Sequence, residues 1–214
     1  MPETVDTNLP ARDIIRHLTH ELRQPLSALE SIAFYLQMTG ADRPADIVAQ
    51  VGRLQQMVEN ANWVLSDVMH MMQMAPPHAV AVDAAEVMDE VLAEGWVVEG
   101  LRVRAECAAE MSAAWVDPEQ FRHLLRSLLY FLRRRTAAPG EVELFCGETE
   151  GRLRMEARAI APGVVAADVF HPLEPNQLFT CRRIAENHGG RFTAENREGG
   201  ELRLQLELPL AARG

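Results

Sequence analysis

Residues 47–72, IVAQVGRLQQMVENANWVLSDVMHMM, carry apolar side chains at alternating intervals of four and three positions. The series consists of Ile47, Val51, Leu54, Val58, Ala61, Leu65, Val68 and Met72. A heptad spacing that continues for more than three repeats predicts an amphipathic helix with one continuous apolar seam. A seam of this length needs a partner surface to cover it, so we expect this helix to pack against other helices in the first part of the fold.

The preceding segment, residues 11–38, has apolar residues every three or four positions and predicts a second helix. Turn-forming residues at 39–44, Thr-Gly-Ala-Asp-Arg-Pro, separate the two segments. Two helices of roughly 28 residues, rising about 1.5 Å per residue, form an antiparallel hairpin about 40 Å long. A single hairpin leaves its seam uncovered, so we expect a homodimer in which two hairpins form a four-helix bundle.

Pro76 and Pro77 end the hairpin pattern and indicate a linker to a second domain. Two helix starts follow. Asp83 and Glu86 have the spacing of a capping box, and Asp117-Pro118 places a capping residue before a first-turn proline. A third helix is predicted from about Leu178 to His188, because Gly189-Gly190 follows it.

Strands in the second domain are predicted from the alternation of apolar and polar residues. The alternating segments are 101–104, 141–145, 152–160 and 202–208. The predicted fold class is α+β. A two-helix hairpin over residues 8–75 forms a dimeric four-helix bundle, and an α/β sandwich follows over residues 79–212.

Composition excludes several classes of function. The 214-residue chain has a net charge of −10, and all 21 basic residues are arginine. Such an acidic chain lacks the clustered positive charge that nucleic-acid binding needs. We find no apolar run of about 18 residues and no signal peptide in the first ten residues, so we expect a cytoplasmic protein without a membrane segment. The wide spacing of the three cysteines, Cys107, Cys146 and Cys181, favours reduced thiols over a disulfide framework. No set of histidines in the sequence has the spacing of metal ligands.

One segment of the first helix carries candidate chemistry. Pro25 interrupts the helical pattern and predicts a bend just after His20. His20 lies outside the apolar stripe of Leu18 and Leu22, so its mostly neutral imidazole is expected to be exposed and able to act as a nucleophile. Glu21 can orient the ring or hold its proton. Taken alone, an exposed histidine beside a glutamate is more typical of a solvated helix face.

The whole segment, His20-Glu21-Leu22-Arg23-Gln24-Pro25-Leu26, resembles the phosphorylated-histidine box of sensor histidine kinases, His-Glu-x-Arg-x-Pro-Leu. The resemblance implies that His20 accepts and donates a phosphoryl group and that Glu21 assists. It also implies that Gln24 occupies the position at which such proteins tune dephosphorylation of a partner. Leu22, Arg23 and Ser27 are the residues expected to contact a docked receiver domain.

The resemblance continues to about residue 210, but it departs from the family at the nucleotide positions. The segment 117–136 resembles the helix that carries the magnesium-binding asparagine, and Phe131 stands at that position. Ala159 stands where the family has an aspartate that binds adenine. Glu174 to Leu178 leads directly into the last helix, where the family has a glycine-rich lid. Since magnesium requires oxygen ligands, we expect a retained fold without ATP binding or autokinase activity.

The sequence therefore predicts a histidine phosphotransferase enzyme of a bacterial phosphorelay. His20, with Glu21 and Gln24, would pass a phosphoryl group between receiver-domain aspartates, with no cofactor or metal of its own and with magnesium supplied by the receiver. Expected partners are response regulator receiver domains and a hybrid histidine kinase. The alternative is a non-catalytic module that sequesters a receiver or kinase, or that assists receiver dephosphorylation. A residual histidine kinase is a third hypothesis, and it predicts measurable ATP binding.

Overall fold

The chain forms two compact units, Met1–Met74 and Ala75–Gly214. A computed structural model describes residues 22–32 and 34, separate positions from 47 to 69, and residues 76–95, 98, 100–136, 140–171 and 178–212. In that described part, no helix is long and apolar enough to cross a membrane.

The described residues of the first unit are helical, at 22–32 and 34 and at the separate positions from 47 to 69. Helix is therefore confirmed at these positions within both predicted segments. The turn at 39–44 and the bend expected just after His20 fall outside the described residues, so they stay predictions.

The heptad seam divides into two columns with different exposure. Ile47, Leu54 and Ala61 are half-buried, and Val68 is 5% exposed. The alternate positions are open: the exposed fractions are 40% at residue 51, 47% at residue 58 and 41% at residue 65. One column is thus partly covered within a single chain while the other remains accessible. The four-helix bundle and the dimer stay predictions.

The second unit contains, among its described residues, three α-helices and seven strands. The helices are α1 (Ala84–Ala93), α2 (Pro118–Arg135) and α3 (Phe179–Asn187). The strands are β1 (Val80–Val82), β2 (Leu101–Cys107), β3 (Ala114–Val116), β4 (Gly140–Thr149), β5 (Arg152–Ile160), β6 (Arg191–Asn196) and β7 (Glu201–Pro209). These elements confirm the α+β prediction for this unit.

Five strands form the main sheet in the order β2-β4-β5-β7-β6, and β1 pairs with β3 in a separate antiparallel ribbon. β2 and β4 are parallel, whereas the other neighbours in the main sheet are antiparallel. Parallel neighbours require a crossover connection, and β3 and α2 supply it between β2 and β4. The crossover places the longest described helix of the unit against the sheet.

The helices begin where the capping residues predict. The Asp117 side chain accepts hydrogen bonds from the backbone N–H groups of Glu119 and Gln120 at 3.0 and 3.1 Å. Asp83 caps α1 in the same way, with the N–H groups of Ala85 and Glu86 at 2.9 and 3.2 Å. Each cap satisfies donors that the first helical turn leaves without intrahelical partners.

The core of the unit lies between the helices and one face of the sheet. Alternation along β5 buries Leu153, Met155 and Ala157, and α2 contributes a continuous set of buried residues. The largest fully buried side chains are Phe121, Phe131, Phe192, Met88, Leu124, Leu129, Leu132, Leu153, Leu178, Ile184, Leu202 and Leu204. The opposite face of the sheet carries the polar side chains of the same strands.

Candidate functional site

The helix at residues 22–32 presents the predicted partner-binding residues in two different environments. Arg23, Gln24 and Ser27 are exposed, whereas Leu22 is half-buried. The three exposed residues line a shallow, open groove together with Ala28 and Ser31. We call this set the 23–31 groove. His20 and Glu21 lie outside the described residues, so their assigned roles stay predictions.

The 23–31 groove is rich in hydrogen-bond donors. Arg23 supplies a guanidinium and Gln24 an amide, and two serine hydroxyls follow along the helix. The Ser31 hydroxyl donates to the Ser27 carbonyl oxygen at 2.9 Å, which holds that side chain along the helix. Residues spaced by four lie on one helical face, so these groups can contact one partner together. The residues of the 23–31 groove can bind an acidic surface. The nucleophile of the predicted site is His20, which lies outside the described residues.

The positions that the family uses for nucleotide are apolar in this chain. Phe131 is 2% exposed and belongs to the buried face of α2, and the neighbouring Tyr130 is 3% exposed. The Arg135 guanidinium lies 5.9 Å from the Phe131 ring centroid. Ala159 is buried in β5, opposite Val142 in the neighbouring strand. No set of three or more metal-ligating side chains occurs in the part of the chain that the structure describes.

The loop that follows β5 contains a glycine with an unusual backbone conformation. Gly163 has a φ of 78°, a left-handed conformation that favours glycine. Asn196 in β6 fixes this loop, because its side chain accepts from the Ala166 N–H at 2.8 Å and donates to the Val164 carbonyl at 2.9 Å. Sequence reasoning missed Asn196, which has no local motif. Residues 174–177, part of the predicted replacement for the lid, fall outside the described residues.

Aromatic contacts hold the end of the same loop against the sheet. Phe170 packs edge-on against Phe192, with ring centroids 5.2 Å apart, and the Arg182 guanidinium lies 5.2 Å from the Phe170 centroid. Arg182 also forms an ion pair with Glu186 at 3.1 Å. Phe170 therefore serves as a packing contact between α3, β6 and the loop.

A histidine joins the end of α3 to the start of α2. His188 is 8% exposed, its Nδ1 lies 2.7 Å from the Ile184 carbonyl oxygen, and its Nε2 accepts from the Asp117 N–H at 2.9 Å. This arrangement requires a neutral ring protonated on Nδ1. The other Asp117 carboxylate oxygen accepts from the His78 N–H at 3.0 Å. Asp117 thereby connects three segments that are distant in sequence.

The strongest electrostatic feature is a buried carboxylate on the polar face of the sheet. Glu156 is 6% exposed and accepts hydrogen bonds from Arg158 at 2.6 Å, Arg203 at 2.6 Å and Gln205 at 3.0 Å. Burial raises the pKa of this carboxyl, but the three hydrogen bonds outweigh burial and lower the pKa to about 2. The sequence showed Glu156 only as one polar residue of an alternating strand.

Comparison with curated proteins finds histidine kinases. The signal transduction histidine-protein kinase BaeS of Escherichia coli (strain K12) is 24% identical over 227 residues, which cover 93% of this chain and 47% of BaeS. The adaptive-response sensory kinase SasA of Parasynechococcus marenigrum (strain WH8102) is 25% identical over 231 residues, which cover 97% of this chain and 59% of SasA. The chain thus spans about half the length of the curated relatives it matches. No protein-family model matches it.

Solved structures of histidine kinases share the fold. The histidine kinase AdeS of Acinetobacter baumannii matches with a TM-score of 0.68 at 14% identity, covering 90% of this chain and 98% of the AdeS chain. The kinase ThkA, solved in complex with the response regulator protein TrrA, matches with a TM-score of 0.70 at 17% identity, covering 92% and 61%. The catalytic domain of ThkA alone matches with a TM-score of 0.56 at 20% identity, covering 62% and 96%.

These findings correct the predicted activity. The predicted histidine phosphotransferase is wrong, because the curated relatives and the solved structures are histidine kinases, and the non-catalytic alternative is no better supported. The prediction gave the substitutions at Phe131 and Ala159 and the loss of the glycine-rich lid more weight than the overall resemblance. The expectation of no autokinase activity conflicts with the same relatives. The relatives support a relationship to the histidine kinase catalytic-domain family, and the sheet of the second unit has the fold of that domain.

Proposed function

We propose that the chain acts as a histidine kinase in a two-component system, with His20 as the phosphorylated residue and a response regulator as its partner. Its relatedness to BaeS and SasA is the observation that carries the proposal, because both are named kinases and match more than nine-tenths of this chain. The complex of ThkA with a response regulator supports the choice of partner.

The residues of the first unit suit phosphoryl transfer at His20. The imidazole nitrogen attacks the γ-phosphorus of ATP, the bond to the bridging oxygen breaks so that ADP departs with the bonding electron pair, and Glu21 accepts the ring proton. The phosphorylated ring then passes its phosphoryl group to a receiver aspartate. His20 precedes Gln24 by four residues, so helical spacing predicts that it shares the face of the 23–31 groove.

The 23–31 groove is the proposed docking surface for the response regulator. Arg23 offers a positive charge, and Gln24, Ser27 and Ser31 offer polar groups on one exposed face. The phosphorylation site of a receiver is acidic because it contains the aspartate that accepts the phosphoryl group. Hydrogen-bond donors near His20 would therefore favour the approach of the receiver. By the resemblance, Gln24 would also act on the phosphorylated partner.

The described residues do not fit a magnesium ion held by this chain. Phe131 and Ala159 offer no oxygen ligand at the corresponding positions, and both are buried in apolar surroundings. We therefore derive no step through a metal on this chain and propose that magnesium for transfer comes with the receiver.

A homodimer completes the proposal. The exposed column at Val51, Val58 and Leu65 continues along one heptad position of the second helical segment. A second copy of the chain can cover this column by packing the same face against it, as expected for a twofold interface. The homodimer would then carry two 23–31 grooves, one from each chain.

Transfer to a receiver tests the proposal. The full chain is first incubated with labelled ATP and magnesium, and a purified receiver domain is then added. We expect label on the chain and then on the receiver, no label on the His20→Ala variant, and unchanged labelling of the His78→Ala variant, whose side chain is exposed in the second unit. Absence of label from wild-type chain, or equal labelling of the His20→Ala variant, would contradict the proposal.

A further inference from the structure

Two cysteines occupy opposite positions on neighbouring strands. Cys107 at the end of β2 is in register with Cys146 in β4, and both are free thiols. Neighbouring strands are about 4.8 Å apart, and a disulfide requires Cα atoms about 4.4–6.8 Å apart. Residues in register project to the same face of a sheet, so both Cβ atoms point to one side.

Only one of the two thiols is accessible. The Cys107 and Cys146 side chains are cross-strand neighbours on one face of the sheet. Cys107 is exposed, whereas Cys146 is fully buried. The Ala108 N–H donates to the Cys146 carbonyl oxygen at 2.8 Å, which extends the pairing of the strands past the cysteines and holds their backbones in place. An oxidant can therefore reach Cys107 first, whereas the buried Cys146 is the thiol that would complete the disulfide.

We propose that Cys107 and Cys146 form an oxidation site that closes to a reversible intramolecular disulfide in the presence of a hydroperoxide. The Cys107 thiolate attacks one peroxide oxygen, which gives a sulfenic acid and, with hydrogen peroxide, releases hydroxide that takes up a proton. The Cys146 sulfur then attacks the sulfenic sulfur, and the sulfenic oxygen leaves as water. Overall, two thiols lose two electrons and two protons, and one peroxide becomes two waters. A small dithiol reverses the reaction by exchange.

The electrostatic surroundings predict slow closure and a durable product. Partial loss of solvent around the accessible Cys107 thiol raises its pKa, and the nearby carboxylates Asp89 and Asp83 raise it further. Burial and the adjacent Cys107 raise the pKa of Cys146 to about 12. A small thiolate fraction slows the first attack at neutral pH. Because neither thiolate is stabilised, reduction of the finished disulfide gains little, and the bond resists weak reductants.

Closure would fasten an edge of the sheet. β2 lies at the end of the strand order and pairs with β4. A bond from Cys107 to Cys146 encloses β3 and α2, the crossover between these two strands. Cross-linking restricts the unfolded chain and suppresses local opening of the linked segments. We therefore expect oxidation to protect β2 more than α3, which lies outside the closed loop.

Peptide mapping of the full-length chain tests the site. Reduced protein is treated with hydrogen peroxide at pH 8, then alkylated under denaturing conditions and digested. We expect the wild-type chain to lose two hydrogen atoms, about 2 Da, and to give one peptide pair linked through Cys107 and Cys146. The Cys181→Ala variant, which removes the third thiol, should give the same pair. The Cys107→Ser variant should give none and should leave Cys146 reduced, and dithiothreitol should restore the wild-type mass.

Hydrogen exchange supplies a second readout. We expect amide exchange in β2 to slow by about tenfold or more on oxidation in the wild-type chain and to stay unchanged in the Cys107→Ser variant. Oxidation of Cys107 to sulfinic acid with Cys146 still reduced would overturn the proposal. A disulfide found only between two chains, or a Cys107 thiol that stays reduced after prolonged treatment with excess hydrogen peroxide, would overturn it as well.

Discussion

Glu156 shows how a single residue can be buried with its charge on the polar face of a sheet. The carboxylate sits in register with Gln205 and is bonded to it and to the guanidinium groups of Arg158 and Arg203. A buried ion is tolerated when its hydrogen-bonding capacity is filled, and three partners do so here. The sequence predicted the alternation of β5, but two of the three partners, Arg203 and Gln205, come from β7, which is 47 and 49 residues away in the sequence.

We expect the Glu156→Gln substitution to lower the free energy of unfolding at pH 7 by about 1–3 kcal/mol, because it removes the charge that pairs with Arg154, Arg158 and Arg203. Urea unfolding of the full chain measures this loss. The matched control is Glu143→Gln, an exposed carboxylate on the same face of the neighbouring strand, which should stay within about 0.5 kcal/mol of wild type. Equal losses in the two variants would contradict the account of Glu156.

The same residue predicts a pH dependence. The folded pKa of Glu156 is about 2, below the ordinary glutamate value of about 4.3. The stability that this group contributes is therefore present above about pH 5 and is lost as the pH falls toward 2. We expect the difference in unfolding free energy between wild type and Glu156→Gln to shrink over this window. A difference that stays constant from pH 7 to pH 3 would show that the carboxylate charge has no part in it.

At the scale of elements, the helices and longer strands of the second unit were predictable because their signals are local. The predicted start at Asp117-Pro118 agrees with α2, and the segment 152–160 agrees with β5. The short strands β1 and β3 were missed because three residues are too few to show alternation, and β6 was missed because Phe192 is its one large apolar side chain. The parallel pairing of β2 with β4 depends on a crossover of distant residues, and no local pattern predicts it.

The two helix caps allow a matched comparison. Asp117→Ala removes the cap of α2 together with the acceptor for the His78 N–H, whereas Asp83→Ala removes the cap of α1. We expect losses of about 2 kcal/mol for Asp117→Ala and about 1 kcal/mol for Asp83→Ala in urea unfolding. The difference reflects the added contact with the segment before β1. A larger loss for Asp83→Ala would contradict the connecting role given to Asp117.

At the scale of the whole molecule, the sequence indicated the similarity to histidine kinases, but the activity predicted from it was wrong. The motif from His20 to Leu26 and the pattern of the second unit both indicated histidine kinases, in agreement with the relatives that cover 93% and 97% of this chain. The error arose at Phe131, at Ala159 and at the missing glycine-rich lid, where the chemistry of single positions and one loop was extended to the function of the entire protein. These departures describe a local site, and they do not settle what the remainder of the chain does.

The proposed dimer depends on the exposed heptad column. We expect wild-type chain to sediment at twice its chain mass of 23.9 kDa at micromolar concentration, since burial of apolar surface favours association. Val58→Asp, in the middle of the column, should shift the particle to the monomer mass. The control Val165→Asp, at a valine that is 54% exposed in the second unit, should stay dimeric. A dimer that survives Val58→Asp would contradict the assigned interface.

The most direct test of the proposed kinase is phosphorylation of residue 20 by ATP. The full-length chain is incubated with magnesium and labelled ATP, and the labelled peptide is identified by mass spectrometry, with Arg23→Ala as a variant that retains His20. We predict acid-labile label on the peptide that contains His20 in wild type and in Arg23→Ala, and none in His20→Ala. A wild-type chain that takes no label from ATP, but becomes labelled at His20 by a phosphorylated response regulator, would contradict the account.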